Sequence, residues 1–185
     1  MENDNCDDAK LMARLGEGDM TALDQLAQRH QSRILSVAYR LLGDWHRAED
    51  VAQETFIRLS QAACTYQPQA KFTTWLYRIV HNLSIDQQRR ASAAPVRSDT
   101  RADEPQDANA SDSVERQECA RLVREAVEGL PDRQRQAIIL HRYEGLSHTE
   151  ISDITGWSKS AVESLLVRAY ENLREKLARC GDSFD

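Results

Sequence analysis

Residues 91–113, ASAAPVRSDTRADEPQDANASDS, hold one large aliphatic side chain, Val96, among five acids, two arginines and two prolines. So little apolar surface cannot offset the entropy of ordering the chain, and the stretch is expected to be a flexible linker. Fully extended, its 23 residues reach at most roughly 75 Å. A chain cut in this way can build only two small cores, one from residues 1–90 and one from residues 114–185. With 41% apolar residues, 7 Gly and 4 Pro in 185, and many Ala, Leu, Arg, Gln and Glu, both are expected to be helical.

In the first part, residues 7–15 place Ala9, Leu11, Met12 and Leu15 at helical spacing, and Gly16 and Gly18 break the helix. Asp19 is a plausible N-cap for a helix over residues 20–42, whose apolar face is Leu23, Leu26, Ile34, Leu35, Val37, Ala38, Leu41 and Leu42. Gly43 suits its C′ position. Asp44 caps a third helix over residues 45–63, with Val51, Phe56, Ile57 and Leu59 apolar. Glu49, Asp50, Gln53 and Glu54 crowd its first half. Acids near a helix N-terminus suit the dipole, which accounts for Glu49 and Asp50. The dipole does not account for Glu54 or for the apolar residues beside the acids. An acidic and apolar helical face also fits a basic helical partner, and spacing alone leaves both readings open.

Residues 64–70, CTYQPQA, read as a short loop, with Tyr66 placed for surface packing or for a base contact. Residues 71–90, KFTTWLYRIVHNLSIDQQRR, follow. Phe72, Leu76, Ile79, Val80 and Leu83 form one face. Arg78, His81, Asn82, Ile85 and Arg89 follow another, with Lys71 and Arg90 at the ends. Four basic residues against Asp86 make the stretch locally positive. Trp75 and Tyr77 interleave with those cations, as a surface for unstacked bases would. A core helix with buried aromatics and solvated charges is the competing reading.

In the second part, residues 114–128 are amphipathic and Gly129 closes them. Pro131 suits a helix's first position, and residues 132–143 follow with Ala137, Ile138, Ile139 and Leu140 inward. Then Ser147 and Glu150 form an S-x-x-E capping box ahead of Ile151 and Ile154. Gly156 supplies a turn, and Ser158 caps a last helix with Val162, Leu165, Leu166, Ala169 and Leu173 inward. Two helices around a glycine turn, the second opening on small polar residues, make a helix-turn-helix pattern. Ser158, Lys159, Ser160, Glu163 and Ser164 would face the major groove, with Arg168 a turn further on. An ordinary helical hairpin is the bland alternative.

The net charge of −6, from 24 basic and 30 acidic residues, conflicts with stand-alone DNA binding, which normally leaves a basic footprint. Either the chain avoids DNA or a partner supplies the phosphate attraction. Cys6, Cys64, Cys119 and Cys180 are scattered without a CxxC pair, against a disulfide framework or a zinc site. No phosphate loop, metal cluster or nucleophile–base spacing appears, so no catalytic residue, metal or cofactor is expected, and the chain is read as a non-enzyme. The acidic N-terminus argues against a secretory signal, and no apolar run would span a membrane; a cytoplasmic protein without membrane insertion of its own is expected.

Two blocks now match a family. Residues 47–59, RAEDVAQETFIRL, and 72–86, FTTWLYRIVHNLSID, resemble region two of the extracytoplasmic function (ECF) sigma factors. Residues 130–135, LPDRQR, 143–152, YEGLSHTEIS, and 156–166, GWSKSAVESLL, resemble their region four. The resemblance implies an all-α chain of two small domains, an N-terminal helical bundle (1–90) and a C-terminal helix-turn-helix domain (114–185), joined by a flexible linker (91–113). It implies a transcription initiation factor that recruits core RNA polymerase to promoter DNA. Asp44, Glu49, Asp50, Gln53, Glu54 and Ile57 would dock on the polymerase. The loop at 65–70, with Tyr66, and the helix after it would capture the element near the start site and flip one non-template base into a pocket. There Asn82 and Trp75 would contact the element, and Lys71, Arg78, Arg89 and Arg90 would hold phosphates. Ser158, Lys159, Ser160, Glu163, Ser164 and Arg168 would read the distal element, and the linker would thread the polymerase interior.

The resemblance also implies an anti-sigma factor as a partner, and it resolves the charge conflict, since a basic polymerase welcomes an acidic factor. The sequence departs from the family at Glu163, Leu165, Val167 and Tyr170, where many relatives carry basic residues or His. Glu163 can accept from a cytosine amino group or face solvent. A stand-alone helix-turn-helix regulator with a helical sensor domain is the alternative function. A third class is an interaction protein whose two domains clasp an inhibitor helix.

Overall fold

The computed structural model describes residues 2–68, 71–93 and 114–181, and among them every regular element is helical. The chain forms two compact units, one built on the helices before the expected linker and the other on those after it. The last helix of the first unit runs from Phe72 through Ala93, so helix occupies the first three positions of that linker. The rest of that expectation, residues 94–113, lies outside the described residues.

The first unit comprises α1 (Glu2–Gly16), α2 (Met20–Leu42), α3 (Trp45–Ala62), a 3-10 turn (Ala63–Thr65) and α4 (Phe72–Ala93). Helix α1 begins five residues before the expected start at Asp7, where polar residues give no apolar period to read. Asp19 caps α2 by accepting from the Thr21 amide at 3.0 Å, and Gly43 ends it at φ 67°, in the left-handed region glycine enters without a Cβ penalty. Asp44 then caps α3, accepting from the Arg47 amide at 3.0 Å. Helix α2 is central, packed on α1, α3 and α4. Met12, Leu26, Ile34, Leu41, Leu59, Phe72 and Leu76 are fully buried between them. Each such side chain contributes about 1.5–3 kcal/mol by leaving water. The buried hydroxyls of Thr55 and Ser84 donate to the carbonyls four residues back, Val51 and Val80, so they enter the core satisfied.

One charged side chain is also enclosed. Asp8 on α1 is 1% exposed, accepts from Arg29 Nη1 at 3.0 Å and meets His30 Nε2 at 2.9 Å, both on α2. Burial pushes its carboxyl up, but the hydrogen bond and charge of His30, then those of Arg29, outweigh burial and hold it below the ordinary carboxylate range.

The second unit comprises α5 (Val114–Glu128), α6 (Asp132–Ile138), a π-helical segment (Ile139–Tyr143), α7 (His148–Thr155) and α8 (Lys159–Gly181). The expected single helix over 132–143 is thus two geometries. The Glu144 amide reaches back five residues to the Ile139 carbonyl at 3.3 Å. The change of geometry falls within a run, Gln136 to Leu140, that is buried throughout. Helix α8 packs on α5 and α6, and Asn172 Nδ2 donates to Gln134 Oε1 at 2.7 Å across the α6–α8 contact.

Candidate functional surfaces

Helix α3 turns two distinct faces outward and inward. Ala48, Val51, Ala52, Thr55 and Leu59 are buried. At about 100° per residue, Glu49, Asp50, Gln53, Glu54 and Ile57 lie on the opposite side. Glu49, Asp50 and Gln53 are exposed, Glu54 is half-buried, and Ile57 keeps 51% of its surface in water. Local partners hold several of these in place. Trp45 Nε1 donates to Glu49 at 3.1 Å, and Arg58 pairs with Glu54 at 2.9 Å. Asp44 is committed to its cap and to Arg47, so it fixes where the face begins. Asp50 and Gln53 stand exposed between these pairs. An exposed branched aliphatic at the end of an acidic run is what a basic, partly apolar helix would cover.

On α4, Phe72, Leu76, Val80 and Leu83 are buried. Lys71, Trp75, Arg78, Asn82 and Arg89 fall in one stripe on the other side, within about 60° of rotation at 3.6 residues per turn. All are exposed except Trp75, which is half-buried, and Arg90 stands exposed beside the stripe. Two expectations fail here. Tyr77 is only 3% exposed, facing the core with the Arg33 guanidinium 5.9 Å from its ring, so it offers no face to a base. His81, expected on the polar face, is 6% exposed and lies inside. Both sit on the far flank of the helix, where the period turns back towards α2.

Ahead of α4 the 3-10 turn delivers Tyr66 to the start of the stripe. Its ring lies 5.0 Å from that of Trp75 at 59° and 6.2 Å from that of Phe72 at 75°, and Phe72 and Trp75 are 5.9 Å apart. This trio joins a buried ring to two half-buried ones. Burial, and then the Asp8 charge nearby, push the Tyr66 phenol up, so it stays a neutral hydrogen-bond donor. Of the expected loop, Gln69 and Ala70 lie outside the described residues.

In the second unit the capping box is complete. The Glu150 amide meets Ser147 Oγ at 3.3 Å, and the Ser147 amide donates to Glu150 Oε2 at 2.9 Å. Gly156 turns the chain at φ 75°. Ser152 Oγ donates to the Trp157 carbonyl at 2.6 Å, and Ser158 Oγ accepts from the Ala161 amide at 3.2 Å, stitching the turn to both helices. Val162, Leu166 and Ala169 of α8 are buried. Ser158, Lys159, Ser160, Glu163, Ser164 and Arg168 are all exposed along the start of the helix. Ser164 Oγ donates back to the Ser160 carbonyl at 2.8 Å, leaving its lone pairs outward. Val167 and Tyr170 are 53% and 44% exposed on the same side. They were not among the expected contacts, although an apolar residue on a polar helical face was the signal that could have marked them.

No helix among the described residues is long and apolar enough to cross a membrane. The Sigma-70 region 2 family matches residues 26–94, and the Sigma-70, region 4 family matches residues 120–173. The ECF RNA polymerase sigma factor SigW of Bacillus subtilis is 31% identical over 178 residues, 91% of this chain and 95% of that one. The ECF RNA polymerase sigma factor SigE of Mycolicibacterium smegmatis is 34% identical over 168 residues, 88% of this chain, which spans 65% of that relative's length. Among solved structures, CnrH in complex with the cytosolic domain of CnrY is similar at a TM-score of 0.69 and 27% identity, over 93% of this chain and 97% of that one. Both sequence blocks, the helical folds that carry them and these relatives agree: the chain belongs to the ECF family of RNA polymerase sigma factors.

Proposed function

We propose that this sigma factor directs core RNA polymerase to its promoters through three surfaces. The outward face of α3, with Asp44, Glu49, Asp50, Gln53, Glu54 and Ile57, docks on the polymerase. Tyr66, Lys71, Trp75, Arg78, Asn82, Arg89 and Arg90 take the element near the start site. There the tilted rings of Tyr66 and Trp75 offer stacking for an unstacked base, at about 1–3 kcal/mol per base, against the few kcal/mol that flipping costs. Ser158, Lys159, Ser160, Glu163, Ser164 and Arg168 enter the major groove of the distal element. The two units act as separate domains bridged by a linker that begins after α4 ends at Ala93. Bond making belongs to the polymerase, and the chain works in the cytoplasm where polymerase and chromosome meet.

The observation that carries this reading is the half-exposed Ile57 that ends the acidic face of α3. A stand-alone regulator has no use for such a face, which repels DNA. CnrH was solved with a partner protein, the cytosolic domain of CnrY. That likeness supports an anti-sigma factor as a further partner here. The test is run-off transcription with core polymerase on a genomic library, paired with cosedimentation of the chain with the core enzyme. The unaltered chain is expected to cosediment and to give discrete start sites. Reversing Asp50 and Glu54 to Lys is expected to abolish both. A double variant that still cosediments and transcribes would remove α3 from the interface.

A further inference from the structure

Helix α1 bears on the region where α3 gives way to α4 at two places, one direct and one through α2. Near its start, the buried Asp8 carboxylate holds His30 on α2, and the His30 ring lies 5.3 Å from that of Phe72. Phe72 is the buried member of the trio whose other two rings are Tyr66 and Trp75. The Asp8 charge is close enough to Tyr66 to act on its phenol. At the other end of α1, Gly16 lies against the 3-10 turn. A Cβ there would sit 2.9 Å from the Ala63 carbonyl oxygen and 3.2 Å from its carbon, which are backbone atoms that cannot swing away. Cys64 Sγ also donates to the Gly16 carbonyl at 3.4 Å. Met12, Leu15 and Leu26 are buried apolar side chains of α1 and α2 beside these two contacts. A charged pair in a core is a weak stabiliser compared with apolar packing, but it fixes one geometry.

We propose that α1 is a brace for promoter opening, with Asp8, His30 and Gly16 as positioning residues that set the place and tilt of the Tyr66–Phe72–Trp75 trio. This rests on the reading that Tyr66 and Trp75 receive the start-proximal element. The carboxylate anchors the imidazole, the imidazole seats Phe72, and Phe72 carries the two half-buried rings. The Gly16 contact fixes the 3-10 turn from which Tyr66 emerges. A ring displaced by a fraction of its own width still leaves α3 intact, so docking on the polymerase and opening of the promoter should separate.

The experiment uses the full chain with core polymerase on the strongest promoter mapped by run-off transcription, with 2-aminopurine in the non-template strand of the start-proximal element. Opening is read as the rate of fluorescence rise, and docking as competition for core polymerase. Asp8→Asn, His30→Ala and Gly16→Ala are each expected to slow opening about tenfold, in keeping with small displacements of positioning groups, with docking within about twofold of the unaltered chain. His30→Gln, which can still hydrogen-bond Asp8, is expected to recover part of the rate. Gly16→Ala keeps the ion pair whole, so it tests the brace if the Asp8 variant folds poorly. Opening by all three variants at the unaltered rate overturns the brace. Equal loss of docking and opening also overturns it, because that marks a general fold defect. If the unaltered chain docks but never brightens the probe, the reading of the trio as the base-receiving surface fails instead.

Discussion

Asp8 illustrates how much a single carboxylate can be asked to do. It is sealed from water, yet its folded value lies below the ordinary 3.8, because His30 and Arg29 outweigh burial. A carboxyl depressed by folding contributes stability above its unfolded value, and that contribution is lost as pH falls through the folded value. Removing one partner of a buried pair costs about 3–5 kcal/mol when the other charge is left enclosed. Arg29 is 43% exposed and can turn to water, so a loss of about 2 kcal/mol is expected for Asp8→Asn at neutral pH. Thermal melts of both chains from pH 7 down past the carboxylate range check the sign. The gap should be widest at neutral pH and should close in acid. A gap that stays constant with pH would assign the loss to packing rather than charge.

At the level of elements, the sequence was most legible where two rules met at one residue. Helix α2 runs over the expected residues because Asp19 and Gly43 punctuate an apolar period at both ends. Helix α7 is only eight residues long, too short to persist on propensity alone. The capping box made it readable. Ser147→Ala removes the acceptor for the Glu150 amide and should lower the stability of the second unit by about 1 kcal/mol, read as a lower thermal midpoint. A Ser147→Thr chain, which keeps both the acceptor and the hydroxyl that donates to Glu150, should recover most of it. What stayed illegible is equally physical. Consecutive aliphatics at 138–140 fit any helix, and nothing in their pattern marks the change to a π turn at Ile139. Tyr77 and His81 are polar or amphipathic side chains on the flank of α4, where a 3.6 period cannot tell a core position from a surface one. The candidate surfaces on α3 and α8 could be outlined from spacing. The Asp8–His30–Phe72 chain could not, because it joins three helices through residues far apart in sequence.

The whole molecule carries 24 basic and 30 acidic residues, and α8, the helix proposed to read the distal element, offers little to offset that. The exposed charges of α8 from Lys159 to Glu175 are Lys159, Arg168 and Arg174 against Glu163, Glu171 and Glu175. Each phosphate neutralised contributes about 0.9 to the slope of log affinity against log salt. Tight DNA binders reach slopes that need several such contacts. Two or three cations facing as many acids cannot supply them. In the proposed reading the basic stripe of α4 acts on strands already opened, which needs the polymerase. The isolated chain is therefore expected to give no specific gel shift with promoter duplex at about 150 mM salt, even at micromolar concentration. Adding core polymerase should give a stable, sequence-specific complex. The α8 contacts should contribute only a shallow part of its salt dependence. Tight and specific binding by the chain alone would refute the division of labour in which the polymerase supplies the charge and the sigma factor supplies the sequence.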